Sequence, residues 1–145
     1  MPRPSRLVDV SVQLAPGLAT YPGNPAFEIT PVHTIAEGHG SNNSRLVMGT
    51  HTGTHVDAPL HFFDGRPGVD AMPLELLIAR ARVIDLPHRG GITEEHLSAA
   101  GLREDIRVLL RTPNSALWNA TDGFHTDYTY LTEGGAKFLV GQGVK

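Results

Sequence analysis

Apolar and polar side chains alternate in two segments near the start of the chain, a pattern typical of half-buried strands. Residues 7–14, LVDVSVQL, place their valines on one face and their polar residues on the other. Residues 27–35, FEITPVHTI, alternate again, and Pro31 indicates an edge strand or a bulge because proline cannot donate a ladder hydrogen bond. Residues 45–50, RLVMGT, predict a further strand that delivers His51.

After residue 72 the pattern changes to helices that alternate with short apolar strands. Proline favours a first helical position, threonine an N-cap and glycine a stop, and these preferences set the predicted bounds. In chain order we predict a helix that begins at Pro73, a strand at 82–86, a helix capped by Thr93 and ended by Gly101, a strand at 106–111, a loop at 112–123, and a helix capped by Thr132 and stopped by Gly141. This order indicates an α/β fold, a sheet with covering helices that is preceded by an antiparallel portion.

Composition excludes several classes of protein. Apolar residues make up 40% of the chain and charged residues 19%, which is ordinary for a soluble globular domain. The formal net charge of −3 at pH 7 gives no polybasic surface, so we expect no nucleic-acid partner. No apolar run approaches the ~18 residues of a membrane span, and the first residues lack the apolar core of a signal peptide, so we expect a cytoplasmic protein. Because the chain has no cysteine, nitrogen and oxygen must hold any bound metal.

One stretch concentrates side chains of the types that bind metals. Residues 49–64, GTHTGTHVDAPLHFFD, carry His51, His55, Asp57 and His61. A straight strand would place positions four apart ~13 Å from each other, whereas ligands bind one ion at ~2.0–2.2 Å. A helix is disfavoured because threonine, glycine and valine surround the histidines. The chain must therefore bend if these side chains are to meet.

Gly53 is the residue that permits such a bend, because glycine adopts backbone angles that are closed to other residues. We predict that the strand folds back at Gly53 and directs His51 and His55 toward a common point. Asp57, which precedes an Ala-Pro pair, would cap a short helix that brings His61 near the same point.

Two imidazoles and a carboxylate suit Zn²⁺, Mn²⁺ or Fe²⁺. Three protein ligands with an open position are typical of a catalytic zinc site rather than a structural one. Such an ion activates water as a nucleophile, and the remaining histidine, His61, would carry protons near neutral pH. The alternative is a polar loop that holds four ligand-type residues and no metal, and the spacing alone leaves both readings open.

The segment HTGTHVDAPLHF at 51–62 resembles the signature of the cyclase-like metal-dependent hydrolases, a family that includes bacterial kynurenine formamidase (arylformamidase) and isatin hydrolase. Three further parts of the chain resemble the family: the loop YPGNP at 21–25, the stretch 64–75, and VLLRT at 108–112 together with Trp118. The resemblance covers nearly the whole chain, and its central motif is specific.

The resemblance implies a swivelling β/β/α fold with a mixed sheet and covering helices, assembled as a homodimer or homotetramer. It implies that His51, His55 and Asp57 bind a divalent metal, Zn²⁺ or Mn²⁺, and that His61 acts as acid and base. Tyr21 stands where the family has an aromatic residue at the substrate pocket, although kynurenine formamidases tend to have tryptophan there. The implied reaction is hydrolysis of an amide C–N bond in a small aromatic substrate. N-formylkynurenine, an intermediate of tryptophan catabolism, is the first candidate, and a cyclic amide such as isatin is the alternative.

Members of the family continue past the equivalent of Lys145 for a further third of their length, which supplies a His and a Glu as additional metal ligands. We therefore expect residues 1–145 to form a single domain that lacks its C-terminal third. Two hypotheses from different classes follow. The chain is either a metal-dependent amide hydrolase or a non-catalytic member of the family that binds a metal or a ligand.

Overall fold

The fold is that of a computed structural model, which describes residues 6–102, 107–119 and 123–145. The chain divides into two compact units, residues 1–70 and residues 71–145. One pair of antiparallel strands and two pairs of parallel strands alternate with short helices, so the predicted α/β class is confirmed. Whether the chain forms one domain stays a prediction. None of the helices in the described ranges is long and apolar enough to cross a membrane.

The first unit contains an antiparallel hairpin of β1 (Glu28–His33) and β2 (Asn43–Val47). Their register shifts between Pro31 and His33. This irregularity confirms the bulge predicted at Pro31, whose nitrogen has no hydrogen to donate. β2 begins and ends slightly earlier than predicted, and the chain then enters the loop that carries His51. Short 3-10 helices lie at Ile35–Glu37, Pro59–His61 and Val69–Ala71.

Residues 7–14 do not form the strand that their alternation predicts. The segment belongs to none of the strand pairs of the described chain, and Val8 and Val10 are 65% and 63% exposed. The prediction is wrong because an alternating pattern supplies two faces but no partner for the backbone, and a strand needs that partner. One backbone group does find a distant acceptor, since the Val12 N–H donates to Thr54 Oγ1 at 2.9 Å.

The second unit is built from parallel strand pairs and short helices. In chain order it contains α1 (Leu74–Leu77), β3 (Arg82–Asp85), β4 (Gly91–Ile92), α2 (Glu94–Ala99), β5 (Val108–Arg111), β6 (Tyr130–Leu131) and α3 (Glu133–Gly141), with a 3-10 helix at Pro113–Asn119. β3 pairs with β5 and β4 pairs with β6. Parallel neighbours need a crossover connection, and α2 lies within the one that joins β3 to β5. The strands predicted at 82–86 and 106–111 are confirmed, although residue 106 lies outside the described ranges.

The core of this unit is a cluster of buried aliphatic side chains from its strands, its helices and the segments beside them. Full burial of such a side chain contributes about 1.5–3 kcal/mol to folding. The buried cluster consists of Ile84, Leu86, Ile92, Leu97, Leu102 and Leu139.

The Arg111 guanidinium binds the Asp85 carboxylate between the carboxyl ends of β3 and β5, and this hydrogen bond lowers the pKa of Asp85.

Helix α1 is a single turn, shorter than the pattern from Pro73 predicts. Pro73 is its N-cap rather than its first helical residue, and Ile78 leaves the helix with ψ 96°. The guanidinium of Arg107 donates to the carbonyl oxygens of Glu75 and Leu76. These carbonyl groups would otherwise accept bonds from a further helical turn, so a distant side chain replaces the continuation of the helix.

The predicted loop at 112–123 is wrong at Pro113–Asn119, where the chain forms a 3-10 helix, and its residues 120–122 lie outside the described ranges. Asn114 in this helix pairs with the backbone of Thr129. Its Nδ2 donates to the Thr129 carbonyl and its Oδ1 accepts from the Thr129 N–H, each at 2.7 Å. The buried Thr129 hydroxyl in turn donates to the His88 carbonyl at 2.9 Å, so three segments of the unit are joined at this residue.

Thr132 caps helix α3 as predicted, since its Oγ1 accepts from the Gly135 N–H at 3.1 Å. The predicted stop at Gly141 is wrong, because Gly141 is the last helical residue and Gly143 takes the left-handed conformation with φ +80°. The Val144 N–H then donates to the Leu139 carbonyl and the Gly143 N–H to the Val140 carbonyl. This is a Schellman motif, so residues 143–144 complete the end of the helix.

A histidine completes the N-terminal cap of α2. The Thr93 N–H donates to His96 Nδ1 at 3.1 Å, the place that glutamate or glutamine takes in a capping box. We expect His96→Ala to lower the free energy of unfolding by about 1 kcal/mol, the usual size of a lost cap. His96→Gln should retain most of that free energy because its amide oxygen accepts the same bond. Urea unfolding compares the variants, and equal losses would assign the effect to the stacking of His96 on His88 instead.

Candidate metal centre

The loop after β2 turns back on itself at Gly53. Its φ of +66° lies in the left-handed region that glycine enters without steric cost, which confirms the predicted bend. A Cβ added at Gly53 would lie 2.7 Å from Leu14 Cδ2, so the Leu14 side chain would have to shift. The positive φ is therefore what favours glycine at the point that separates His51 from His55.

The bend brings three donor atoms together. His51 Nδ1 lies 2.9 Å from Asp57 Oδ1 and 3.3 Å from His55 Nε2, and His55 Nε2 lies 3.5 Å from Asp57 Oδ1. A point equidistant from these atoms is about 1.9 Å from each, close to the ~2.0–2.2 Å of a zinc–ligand bond. The three side chains thus surround a volume of the size that a metal ion occupies.

The Gly53 carbonyl group determines which ring nitrogen of His55 carries the hydrogen and which one is available to a metal. His55 Nδ1 lies 2.8 Å from the Gly53 carbonyl oxygen, which can only accept, so Nδ1 carries the hydrogen. In the neutral ring Nε2 then presents a lone pair toward His51 and Asp57. Metal-binding histidines are held in this way, with the second ring nitrogen donating to a carbonyl or carboxylate group.

His61 reaches the same place from the 3-10 helix Pro59–His61. Its ring centroid lies 3.9 Å from that of His51. His61 also forms a second candidate ligand group with His51 and Asp57, whose ligand atoms all lie within 4.8 Å of one another. In the group of His51, His55 and Asp57, no distance between donor atoms exceeds 3.5 Å.

Asp57 does not cap the short helix, contrary to prediction. Ala58 is the N-cap residue and offers no side-chain bond, and Pro59 follows as the first helical residue. The reason is that the Asp57 carboxylate is directed to the ring of His51 instead. A carboxylate that is committed to imidazoles is unavailable to the backbone.

The donor side chains are accessible from solvent. Those of His51, His55 and Asp57 are 29%, 33% and 40% exposed. A small molecule can therefore approach the donors directly. Tyr21 belongs to the same unit and lies in a turn that the Asn24 N–H closes on the Tyr21 carbonyl at 2.9 Å. Its side chain is 58% exposed, and its role at the substrate stays a prediction.

Sequence reasoning missed two residues that contact the bend. Thr54 accepts the hydrogen bond from Val12, 42 positions away, and Leu14 lies against Gly53. The alternation at 7–14 was the available signal, since it indicates one face that packs against something. What that face packs against is a long-range property that the pattern does not contain.

An α/β chain with a nitrogen-and-oxygen donor set on a bent loop defines a candidate metalloprotein. Residues 8–145 match the model of a family described as "Putative cyclase". The chain belongs to this cyclase family, and the membership inferred from the motif at 51–62 is confirmed.

Curated relatives agree with this membership. Cyclase-like protein 3 of Oryza sativa subsp. japonica is 37% identical over 115 residues, which are 74% of this chain and 42% of the rice protein. The kynurenine formamidase of Bacillus cereus is 31% identical over 142 residues, which are 97% of this chain and 66% of that enzyme. The chain thus spans less than half the length of the rice relative and about two thirds of the bacterial one.

Solved structures confirm the predicted fold class. A potential metal-dependent hydrolase with cyclase activity superposes with a TM-score of 0.73 at 28% identity, over 94% of this chain and 63% of that one. Isatin hydrolase A from Labrenzia aggregata, bound to benzyl benzoate, gives a TM-score of 0.76 over 96% of this chain and 65% of that one. The second likeness is 24% identical and bears on the fold alone.

Proposed function

We propose that the protein is a metal-dependent hydrolase that cleaves an amide C–N bond, of the arylformamidase type. The observation that carries the proposal is the convergence of His51 Nδ1, His55 Nε2 and Asp57 Oδ1, which lie 2.9–3.5 Å apart. Hydrogen bonding alone accounts poorly for this group. When the His55 ring is neutral, its Nε2 is an acceptor, and a single His51 N–H would then have to serve both His55 and Asp57. A cation satisfies all three acceptors at once.

The donor set fits a divalent ion. Imidazole nitrogens and a carboxylate oxygen suit Zn²⁺ and Mn²⁺, and no thiolate is present in the chain to favour a softer metal. His51, His55 and Asp57 would hold the ion. When bound, it would supply polarisation of the amide carbonyl and activation of water.

His61 is proposed to move protons. Its ring lies against that of His51, so it is adjacent to the proposed ligands His51, His55 and Asp57. An imidazole exchanges protons near neutral pH, and general acid–base groups of this kind contribute about 10²–10⁴-fold to a rate. One ring nitrogen of His61 would accept a proton from water and return it to the departing amide nitrogen.

The substrate class follows from the relatives and from one aromatic side chain. Kynurenine formamidases align with 97% of this chain at 31% identity, so N-formylkynurenine of tryptophan catabolism is the proposed substrate. The exposed ring of Tyr21 would contact the aromatic part of that molecule. A cytoplasmic location and assembly as a homodimer or homotetramer stay predictions from the sequence.

The test is hydrolysis of N-formylkynurenine by the purified chain with Zn²⁺ or Mn²⁺, measured by the appearance of kynurenine. We expect turnover that a chelator removes and that the metal restores. Isatin, assayed in parallel, separates formamide cleavage from the opening of a cyclic amide. Undiminished turnover by metal-free protein would contradict the proposal, and metal binding without turnover of either amide would leave a binding role.

A further inference from the structure

The bend that gathers the histidines is held by the N-terminal segment. The Val12 N–H donates to Thr54 Oγ1 at 2.9 Å. Leu14 Cδ2, Val12 Cγ2 and Leu18 Cδ2 also lie 2.7, 3.4 and 3.7 Å from the position that a Cβ of Gly53 would take. We call residues 12–14 the strap. It contacts the bend by one hydrogen bond and by apolar packing.

Thr54 occupies the position through which this contact reaches the ligands. It lies between Gly53, whose carbonyl holds His55 Nδ1, and His55 itself. The backbone angles around Thr54, from Gly53 to His55, set the direction of the His55 ring. Because threonine is branched at Cβ, few side-chain rotamers are open to it, and an anchored hydroxyl therefore restricts the backbone as well.

The strap lies outside the strands of the described residues and follows an exposed segment. Its neighbours Val8 and Val10 are more than half exposed, and residues 6–15 belong to no strand of the described chain. The bond to Thr54 is a contact between segments 42 positions apart, so it is made only in the folded chain. Its loss would leave the apolar packing beside Gly53 to hold the strap against the bend.

We propose that Thr54 is a positioning residue of the metal centre, whose hydroxyl ties the bend to the strap and so holds His51 and His55 at the spacing that one ion requires. The inference rests on the proposed function, because it assumes that these histidines bind a metal. It adds that part of the affinity comes from ordering the ligands before the ion arrives. A site that is ordered in advance loses less conformational entropy on binding.

The experiment compares Zn²⁺ affinity by calorimetry in wild type, Thr54→Val and Thr54→Ser. Valine keeps the shape of threonine and removes the acceptor, so we expect affinity to fall about 10–100-fold, the range known for partners outside the ligand set. Serine restores the hydroxyl and should recover most of the affinity. Thr30→Val is the matched control, because Thr30 is an exposed residue of β1, and it should bind Zn²⁺ as wild type does.

Two readouts separate positioning from simple loss of stability. The visible spectrum of bound Co²⁺ reports ligand geometry, and we expect it to change in Thr54→Val and to return in Thr54→Ser. Thermal unfolding of the metal-free proteins shows whether the fold is retained. Wild-type affinity and spectrum in Thr54→Val would overturn the inference while leaving the proposed function intact. Failure of wild type to bind Zn²⁺ would instead reject the proposed function.

Discussion

His55→Ala is expected to lose Zn²⁺ binding, whereas His61→Ala is expected to lose turnover and keep the metal. His55 Nε2 belongs to the donor group that it forms with His51 and Asp57, so its loss should weaken Zn²⁺ binding by more than about a hundredfold, beyond the effect of residues outside the ligand set. His61→Ala should still bind Zn²⁺ and should lose about 10²–10⁴-fold in turnover, because it removes only the proton carrier. Calorimetry gives the affinities, and the kynurenine assay gives the rates.

A matched control for these variants is His39→Ala, since His39 is an exposed histidine of the same unit that stacks on His33. It should retain both metal binding and turnover. The reverse outcome, in which His61→Ala loses Zn²⁺ and His55→Ala keeps it, would assign the ion to the group of His51, Asp57 and His61. Retention of the metal by both variants would contradict both groups.

Gly134→Ala and Gly135→Ala, neighbours in the first turn of α3, should change stability in opposite directions. A Cβ at Gly135 would lie 2.6 Å from the Ile92 carbonyl oxygen, a backbone atom that cannot rotate away. We expect a loss of about 1–3 kcal/mol, as for other overpacked sites. A Cβ at Gly134 meets nothing within 4 Å, and alanine should gain about 0.5–1 kcal/mol because it favours the helix more than glycine does.

The midpoint of urea unfolding of the whole chain measures both effects. The two variants serve as controls for each other, because they add the same methyl group to adjacent residues of one helix. If both stabilise the protein, α3 does not approach β4 as closely as the structure shows. If both destabilise it, the glycines are needed for a reason other than the space beside Ile92.

Features that depend on near neighbours were predictable from the sequence. The bend at Gly53, the bulge at Pro31 and the caps Thr93 and Thr132 each follow from the chemistry of one residue and its immediate context. The gathering of His51, His55, Asp57 and His61 was also predictable, because all four lie in one short loop.

Features that depend on distant segments were not predictable. Residues 7–14 have the alternation of a strand, but the structure supplies a threonine hydroxyl 42 positions away instead of a neighbouring strand. Helix α1 stops early because Arg107 takes its last carbonyl groups. Asp57 has the sequence context of a helix cap, yet its carboxylate contacts the ring of His51 instead of the helix backbone.

The pairing of Asn114 with Thr129 also covers backbone groups beside a strand to which another chain could otherwise bind. An unpaired backbone N–H and C=O beside a strand form a template onto which another chain can add, and natural sheets protect such edges. The Asn114 amide offers one donor and one acceptor to Thr129, as the backbone of an adjoining strand would. The residue before β6 is thereby closed to intermolecular pairing by a single side chain.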